Sequence, residues 1–238
     1  MSILKYKRIL LKLSGEALLG KRTHGIDPEV ADYIAKEIKG LTQIGVEIAV
    51  VFGGGNIFRW RSNKDSGIDR ASADSIGFLG TVMNSLAFSS FLNNIDVENV
   101  ILSAVEMPKI CEHYTASKAK KYLIEKSVVL SAGGTGNPFF TSDTAAALRA
   151  CELECDAVFK ATKVDGVYDK DPHRHEDAKK FHSLNYLDVL NNKYEVMDNT
   201  AVTLCMDNNI PIVVFELLEK GNIEKAVLGQ KIGTIIQN

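Results

Sequence analysis

Residues 133–143 read Gly-Gly-Thr-Gly-Asn-Pro-Phe-Phe-Thr-Ser-Asp, and the predicted fold is arranged around this stretch. A short apolar run at 128–130 precedes it and an alanine-rich run at 144–150 follows it, which predicts a strand, a glycine turn and a helix. A helix N-terminus offers free N–H groups and partial positive charge, and glycines let an anion approach the main chain. The polar residues at 141–143 are all good N-cap types. The stretch predicts an anion site, with an ordinary strand-to-helix turn as the alternative.

Two further glycine turns follow predicted strands. A strand at 7–13 carries Lys12 near its end and leads into Ser14-Gly15, and a strand at 46–52 leads into the three glycines at 53–55. Because parallel strands end at the same edge of a sheet, the three turns are expected to line one crevice. Three anion-binding turns suit two phosphorylated ligands, or one triphosphate and one acceptor.

Strands alternate with helices along the whole chain, which predicts an α/β fold with a mostly parallel sheet and helices on both faces. Further strands are expected at 100–102, 128–130, 156–160, 211–215 and 233–236. Helices are expected after the Asp-Pro start at 27–28, and at 71–91, 117–125, 144–150, 186–190, 199–206 and 223–228. A charged loop is expected at 169–180.

Composition narrows the class of protein. The 238 residues are 45% apolar and 24% charged with a net charge of −2, which disfavours nucleic acid as a partner. Basic residues interrupt the first apolar segment and no apolar run reaches membrane-spanning length, so neither an export signal nor a membrane partner is expected. The four cysteines are then expected to be reduced, Cys151 and Cys155 at helical spacing, in a cytoplasmic protein.

Other sites fit the sequence less well. Residues 15–22 resemble a P-loop but have Arg22 where Ser or Thr would hold Mg²⁺, and residues 133–139 lack the dinucleotide pattern G-x-G-x-x-G. A zinc site at His173, His175 and His182 is disfavoured by the arginine between the first two histidines.

Each candidate residue also has a plainer interpretation. Lys12 would be a strand-end lysine and Arg59 a surface arginine, and Asp74 would be a helix-surface carboxylate. Phe139 and Phe140 would be core residues by default.

Four motifs together resemble the bacterial uridylate kinases, a family of the amino-acid kinase superfamily. The motifs are Lys-Leu-Ser-Gly-Glu-Ala at 12–17, Gly-Gly-Gly-Asn-Ile-Phe-Arg at 53–59, Gly-Thr-Gly-Asn-Pro-Phe-Phe-Thr at 134–141 and Lys-Ala-Thr-Lys-Val-Asp-Gly-Val-Tyr at 160–168. The Val-Asp-Gly-Val element is shared across the superfamily, whereas Gly-Asn-Pro-Phe-Phe-Thr singles out the uridylate kinases. The resemblance covers essentially the whole chain.

The resemblance implies a three-layer α/β/α sandwich in one domain, with a UMP-binding part at about 1–155 and an ATP-binding part at about 156–238. It implies the reaction UMP + ATP → UDP + ADP with Mg²⁺ brought by ATP, in pyrimidine nucleotide synthesis. It further implies a homo-oligomer, a hexamer, and a family often activated by GTP and inhibited by UTP.

The resemblance also implies site residues. ATP would be held by Lys12, Leu13, Ser14, Gly15, Gly55, Arg59, Thr162, Tyr168 and Asp171. UMP would be held by Gly54, Asp74, Thr135, Gly136, Asn137, Pro138, Phe139, Phe140, Thr141 and Ser142, with Asp74 reading the ribose. No protein residue is assigned to a metal.

The chemistry needs no general base, because the attacking phosphate oxygen of UMP is already anionic near neutral pH. Lys12 and Arg59 are the expected catalytic cations, and Asp143 is expected to orient a lysine or a metal-bound water. Trp60 departs from the family, which commonly has glycine there. The alternatives are a superfamily kinase acting on a carboxylate or carbamate, and a catalytically silent nucleotide-binding protein.

Overall fold

Alternating strands and helices build one nine-stranded sheet in the computed structural model, which describes residues 4–59, 67–172 and 174–238. The strand order is β4-β3-β5-β2-β1-β6-β10-β11-β9, and β7 pairs with β8 separately. Within the large sheet, β11 runs antiparallel to β10 and the other neighbouring strands are parallel. The prediction of a mostly parallel sheet is confirmed.

Seven of the strands were predicted from the sequence, and each lies within one or two residues of its expected bounds. The strands are Arg8–Leu13 (β1), Glu47–Phe52 (β2), Asn99–Ser103 (β3), Glu112–His113 (β4), Val128–Ala132 (β5), Ala157–Thr162 (β6), Val167–Tyr168 (β7), Lys180–Phe181 (β8), Ser183–Leu184 (β9), Ile212–Glu216 (β10) and Thr234–Ile236 (β11). The two-residue strands β4, β7, β8 and β9 were not predicted, because two residues carry no periodicity.

The helices follow the predicted pattern, and side-chain caps fix where they begin. Their bounds are Pro28–Gln43 (α1), Arg70–Asn93 (α2), Ala116–Ile124 (α3), Ser142–Glu152 (α4), Tyr186–Asn192 (α5), Asn199–Asp207 (α6) and Asn222–Val227 (α7). Asp27 accepts a hydrogen bond from the Glu29 N–H at 3.0 Å, and Thr141 and Asp198 cap α4 and α6 in the same way.

The sheet separates two hydrophobic cores. On β1, Ile9, Leu11 and Leu13 face the layer formed by α1, α2 and α7, whereas Leu10 faces the layer formed by α3, α4, α5 and α6. This alternation is the period of two expected of a strand buried on both faces. The predicted three-layer α/β/α sandwich is therefore confirmed.

The first strand lies at the centre of the sheet and joins its two predicted parts. β1 pairs with β2 on one side and with β6 on the other, so the parts at 1–155 and 156–238 meet along adjacent strands. The strands β1, β2, β5 and β6 are parallel and end at one edge, where ligands of open α/β sheets bind.

Among the described residues, one helix has the length and composition of a membrane span. The sequence was expected to contain no apolar run of that length. An 18-residue window within α2 has a mean hydropathy of 1.3, and 44% of that window is buried. The helix packs against α1, β2, β3 and β5, and this packing accounts for its apolar composition.

Two local predictions are corrected or refined. The helix that carries Cys151 ends at Glu152, so Cys155 is not in helical spacing with it, although all four cysteines are free as expected. Gly15–Leu19 forms a 3₁₀ helix capped by Ser14, which agrees with the rejection of a P-loop there.

Candidate active site

Strand register brings two lysines together at the centre of the sheet. Lys12 on β1 is the register partner of Lys160 on β6. Both occupy alternate positions that point to the same side as Leu10 and Val158, toward α4. Because neighbouring strands lie about 4.8 Å apart, the two ammonium groups project side by side. Lys160 was not predicted, yet a lysine within the apolar strand sequence Ala-Val-Phe-Lys-Ala-Thr was a usable signal.

Asp143 bridges the two lysines from the first turn of α4. Its carboxylate oxygens lie 2.6 Å from the Lys12 ammonium and 3.0 Å from the Lys160 ammonium, and the three side chains are only 7–17% exposed. The Lys160 ammonium also donates to the Val196 carbonyl. We call Lys12, Asp143 and Lys160 the charge cluster. Like charges this close are tolerable in a buried place because the shared carboxylate compensates them, and the partial positive charge at the N-terminus of α4 in turn stabilises that carboxylate.

The surroundings shift the pKa values of this cluster. Burial alone would raise the pKa of the Asp143 carboxyl, but Lys12 and Lys160 outweigh it and bring that pKa below its ordinary value. Burial lowers the pKa of the Lys160 ammonium, Asp143 opposes this, and the neighbouring Lys12 adds to it. Asp143 is thus held as an anion, whereas the pKa of the Lys160 ammonium lies below its ordinary value.

The helix that carries Asp143 is fixed at its start by Asp198, a residue that sequence reasoning missed. Asp198 accepts hydrogen bonds from the Thr141 and Thr144 hydroxyls, at 2.5 and 2.9 Å, and from the Ala201 N–H at 3.0 Å. One carboxylate therefore joins the N-termini of α4 and α6. The only sequence signal was its place before a predicted helix, which is common to every N-cap.

The three glycine turns meet beside the charge cluster. A Cβ placed on Gly15 would lie 2.8 Å from both the Gly53 carbonyl oxygen and the Gly55 nitrogen. A Cβ placed on Gly53 would lie 3.0 Å from the Gly15 nitrogen and 3.3 Å from the Ser142 hydroxyl oxygen. Backbones this close require glycine. The three turns therefore meet at one edge of the sheet, as predicted, and we call the space beside them the crevice.

Two predicted residues of the first turn have side chains that are used within the fold. The Leu13 side chain is fully buried in the core, so only its backbone is available to the crevice. The Ser14 hydroxyl accepts a hydrogen bond from the Ala17 N–H at 3.2 Å and is used as a helix cap.

Arg59 belongs to the second turn. It pairs with Glu16, and its guanidinium lies beside Gly55, 3.6 Å from where a Cβ would be. The Arg59 side chain is 45% exposed, so it lies at the mouth of the crevice rather than in the charge cluster. Trp60 lies outside the described residues.

The third turn is held by short local bonds. The Thr135 hydroxyl oxygen accepts from the Asn137 N–H at 3.1 Å, while Gly136 and Asn137 are exposed and Pro138 is half-buried. Phe139 has a φ of +71° and is 68% exposed, and Phe140 is 44% exposed. The interpretation of these two rings as core residues is wrong, and they stand at the surface of the loop.

Asp74 comes to the third turn from α2, and Gly54 of the second turn packs closely against the same helix. The Asp74 carboxylate accepts from the Phe139 N–H at 2.7 Å and pairs with Arg70 at 2.9 Å. A Cβ placed on Gly54 would lie 2.5 Å from the carbonyl oxygen of Gly77 on the same helix. The residues predicted for the acceptor nucleotide are thus brought together on one side of the crevice.

The residues predicted for the adenosine end line a separate cavity of about 560 Å³, with Lys160 at one end. A cavity of this size is in the usual range for a nucleotide-sized ligand. Within it Thr162 forms a local turn with Val164, and the Tyr168 hydroxyl donates to Asp165 at 2.6 Å. That hydrogen bond, with partial burial, raises the pKa of Tyr168 to about 12.

The cavity has a wall that the sequence did not indicate. Residues 192–196, at the end of α5 and in the segment that leads to α6, also line the cavity. At the rim, Asp171 is exposed and pairs with Arg174 at 3.2 Å. Lys160 belongs both to the charge cluster and to the lining of this cavity, so the charge cluster adjoins the cavity on one side and the glycine turns on the other.

No group of three or more His, Cys, Asp or Glu side chains that could hold a metal ion occurs within residues 4–59, 67–172 and 174–238. Mg²⁺ commonly keeps one or two carboxylates and substrate phosphates as ligands, so it does not need such a group. His173, from the disfavoured zinc alternative, lies outside the described residues.

Comparison with known proteins agrees with this geometry. The amino acid kinase family model matches residues 7–216. The UMP kinase from Bacillus anthracis is 38% identical with a TM-score of 0.95, over 98% of this chain and 96% of that one. The UMP kinase from Ureaplasma parvum is 32% identical with a TM-score of 0.92, over 99% and 100% of the two chains.

A more distant structure has the same fold. The uridylate kinase from Archaeoglobus fulgidus is 27% identical with a TM-score of 0.74, over 96% of this chain and 99% of that one. The match to the family model covers most of the chain, and two solved UMP kinases are more than 30% identical over nearly its full length. The chain is therefore a phosphotransferase of the amino acid kinase family and belongs to its UMP kinases.

Proposed function

We propose that the chain transfers the γ-phosphoryl group of ATP to UMP, giving UDP and ADP. The observation that carries the proposal is the charge cluster, in which Asp143 holds Lys12 and Lys160 side by side where the glycine turns meet the 560 Å³ cavity. Two positioned cations between the glycine turns and a nucleotide-sized cavity suit a reaction between two phosphates.

The geometry supports catalysis by positioning and by charge. In phosphoryl transfer the protein mainly aligns the attacking and leaving oxygens and neutralises the transferring group. Lys12 and Lys160 supply two preorganised cations, and Arg59 supplies a third from the mouth of the crevice. Asp143 fixes the spacing of the lysines, which supports the lysine-orienting alternative for its role. The UMP phosphate is anionic near neutral pH, so no side chain has to remove a proton.

The two nucleotides are assigned to opposite sides of the charge cluster. ATP lies with its adenosine in the cavity at Thr162, Tyr168 and Asp171, and its phosphates reach Lys12, the turn at 13–15, Gly55 and Arg59. UMP lies along Gly54, Asp74 and the third turn at 135–142. The part at 1–155 thus binds mainly the acceptor, and the part at 156–238 mainly ATP.

Mg²⁺ is proposed to enter with ATP and to neutralise phosphate charge when bound. Both Asp143 oxygens are paired with lysines, so the ion is expected to be held chiefly by the phosphates.

A homo-oligomer is part of the proposal, and the family resemblance favours a hexamer. On α2, Leu79, Met83 and Leu86 are 47%, 52% and 40% exposed at helical spacing. An exposed apolar stripe of this kind is typical of a surface that another chain covers. GTP activation, UTP inhibition and a cytoplasmic location are proposed on the family resemblance.

The test is a coupled assay of ADP release with ATP and Mg²⁺. UMP, CMP, AMP, glutamate, N-acetylglutamate and carbamate are supplied in turn. We expect turnover with UMP and much less with every other acceptor. Turnover with an amino acid or carbamate instead would contradict the proposed acceptor while leaving the kinase assignment intact, and ATP binding without turnover of any acceptor would favour the silent alternative.

A further inference from the structure

A buried arginine lies directly behind the third glycine turn. Arg149, in the last turn of α4, is 4% exposed, and an arginine is rarely buried unless its charge is paired. Its guanidinium donates to the Glu152 carboxylate at 2.7 Å and stacks on the Tyr114 ring, 3.9 Å from the ring centroid. The Tyr114 hydroxyl donates to the same Glu152 oxygen at 2.7 Å, so the three side chains form one cluster.

The guanidinium has a further partner in the turn itself. Its second terminal nitrogen donates to the carbonyl of Gly134 at 3.2 Å. One residue earlier, the Gly133 N–H donates to the Thr81 hydroxyl of α2 at 2.9 Å. Gly133 and Gly134 have φ values of +75° and +60°. Glycine adopts positive and negative φ about equally readily, so these two residues do not fix the conformation of the turn by themselves. Side chains from α2 and α4 thus select one conformation for the turn.

This choice decides where the next N–H group points. A trans peptide directs its C=O and the following N–H to opposite sides. Because the Gly134 carbonyl is drawn toward buried Arg149, the Thr135 N–H is directed away from Arg149. Within the described part of the chain, the Thr135 N–H has no acceptor. It is therefore available to an oxygen of a ligand.

We propose that Arg149, held by Glu152 and Tyr114, is a positioning residue that aims the Thr135 N–H at an oxygen of the acceptor nucleotide. The inference rests on the proposed function for the identity of the acceptor. Arg149 touches no reacting atom and acts through the backbone of the turn. Its loss is therefore expected to weaken acceptor binding and to leave ATP binding unchanged.

The experiment compares Arg149→Met with Arg8→Met. Arg8 is a matched control because it too pairs with a glutamate, Glu47 at 2.8 Å, and donates to a backbone carbonyl, that of Leu153 at 2.7 Å, away from the glycine turn. Arg149→Lys keeps the charge but loses the fork that reaches two partners at once. The KM for UMP and the KM for ATP are measured for each variant.

We expect Arg149→Met to raise the KM for UMP about 10-fold, the effect of one hydrogen bond to a charged ligand, with the KM for ATP changed less than about twofold. Arg149→Lys should recover part of the loss, and Arg8→Met should leave the ratio of the two KM values unchanged. Equal changes in both KM values, or none, would overturn the inference.

Backbone hydrogen exchange tests the same inference without a substrate. Exchange in peptides covering 131–141 should be faster in Arg149→Met than in wild type and in Arg8→Met, and equal exchange in all three would overturn the positioning role. If the wild-type enzyme fails to turn over UMP while exchange behaves as expected, the proposed function is wrong and the positioning role stands. If Arg149→Met does not fold, Tyr114→Phe removes only the bond to Glu152 and is expected to raise the KM for UMP about twofold.

Discussion

The charge cluster and the adenosine cavity are built by different means, although both are assigned to one ATP molecule. Lys12 and Lys160 stand on adjacent central strands, and Asp143 begins a helix packed on the same strands, so core packing fixes all three. Thr162 ends β6, Tyr168 lies in the two-residue strand β7, and Asp171 lies in the loop that follows. The hydrogen bonds of the Thr162 and Tyr168 side chains join neighbours only two and three residues away, Val164 and Asp165.

This difference predicts how each region responds to mutation. A group held by the core keeps its position when a ligand arrives, so its full electrostatic effect acts on the transition state. The charge of a more exposed group is screened by water, so a contact that the group makes contributes less free energy. Substitutions in the charge cluster should therefore act mainly on kcat, and substitutions in the adenosine cavity mainly on the KM for ATP.

The largest effect is expected for Lys12→Ala. The variant should fold normally and lose about 10²- to 10³-fold in kcat, the usual loss on removing one preorganised donor from a transition state. Steady-state kinetics and circular dichroism measure the two quantities. Lys36→Ala, which removes an exposed α1 lysine paired with Asp32, is the control and should not change kcat. Unchanged turnover in Lys12→Ala would remove Lys12 from the mechanism.

Asp143→Asn is expected to have the second-largest effect. Its kcat should be about 10²-fold lower, because the two lysines lose their common anchor and move. The folded pKa of Asp143 is lowered, so its stabilisation is fully present above its ordinary pKa of 3.8 and is lost as pH falls below that value. The wild type should therefore lose stability in acid more steeply than the variant. Thermal melts between pH 3 and pH 7 that run parallel for the two proteins would contradict this.

Lys160→Arg should change the pH dependence of kcat more than the maximum value of kcat. Lys160 acts as a cation and its pKa is lowered, so the wild-type rate should fall as pH rises through a value below 10.5. Arginine stays charged throughout that range, so the variant should keep its rate on the alkaline side. Since guanidinium geometry differs, a maximum rate about 10-fold lower is expected. The same alkaline fall in both proteins would assign the titration to another group.

The smallest effects are expected at Tyr168. Tyr168→Ala should raise the KM for ATP about 10-fold if the ring stacks on the base, with kcat nearly unchanged. Tyr168→Phe keeps the ring and loses an exposed hydrogen bond to Asp165, so its KM for ATP should change by less than about twofold. A fall in kcat as large as that of Lys12→Ala would break the distinction between the two regions.

Much of the fold was predictable because its signals are local. The apolar strands, the Asp27-Pro28 helix start and the glycine turns after the strands each follow from residues within one turn or strand. The same holds for the expected crevice, because parallel strands must end at one edge.

Several site residues were not predictable from local signals. Lys160 was a polar residue in an apolar strand, and only the β1–β6 register shows that its partner is Lys12. In the sequence Asp198 is indistinguishable from any other N-cap, and only the tertiary structure shows that it accepts hydrogen bonds from Thr141 and Thr144. Hydrophobicity by itself would place Phe139 and Phe140 in the core, but both are exposed in the folded loop, where Phe139 has a positive φ.

The sequence by itself determined the α/β class, the strands and helices and the three glycine turns, since these depend on periodicity and on the backbone freedom of glycine. Only the tertiary structure decided which charges meet. Asp143 is 131 positions from Lys12 and 17 from Lys160 along the chain, and strand pairing with helix packing bring all three within 3.0 Å contacts. Sequence periodicity assigns a side chain to a face, whereas the register of nonlocal strands decides its neighbour there.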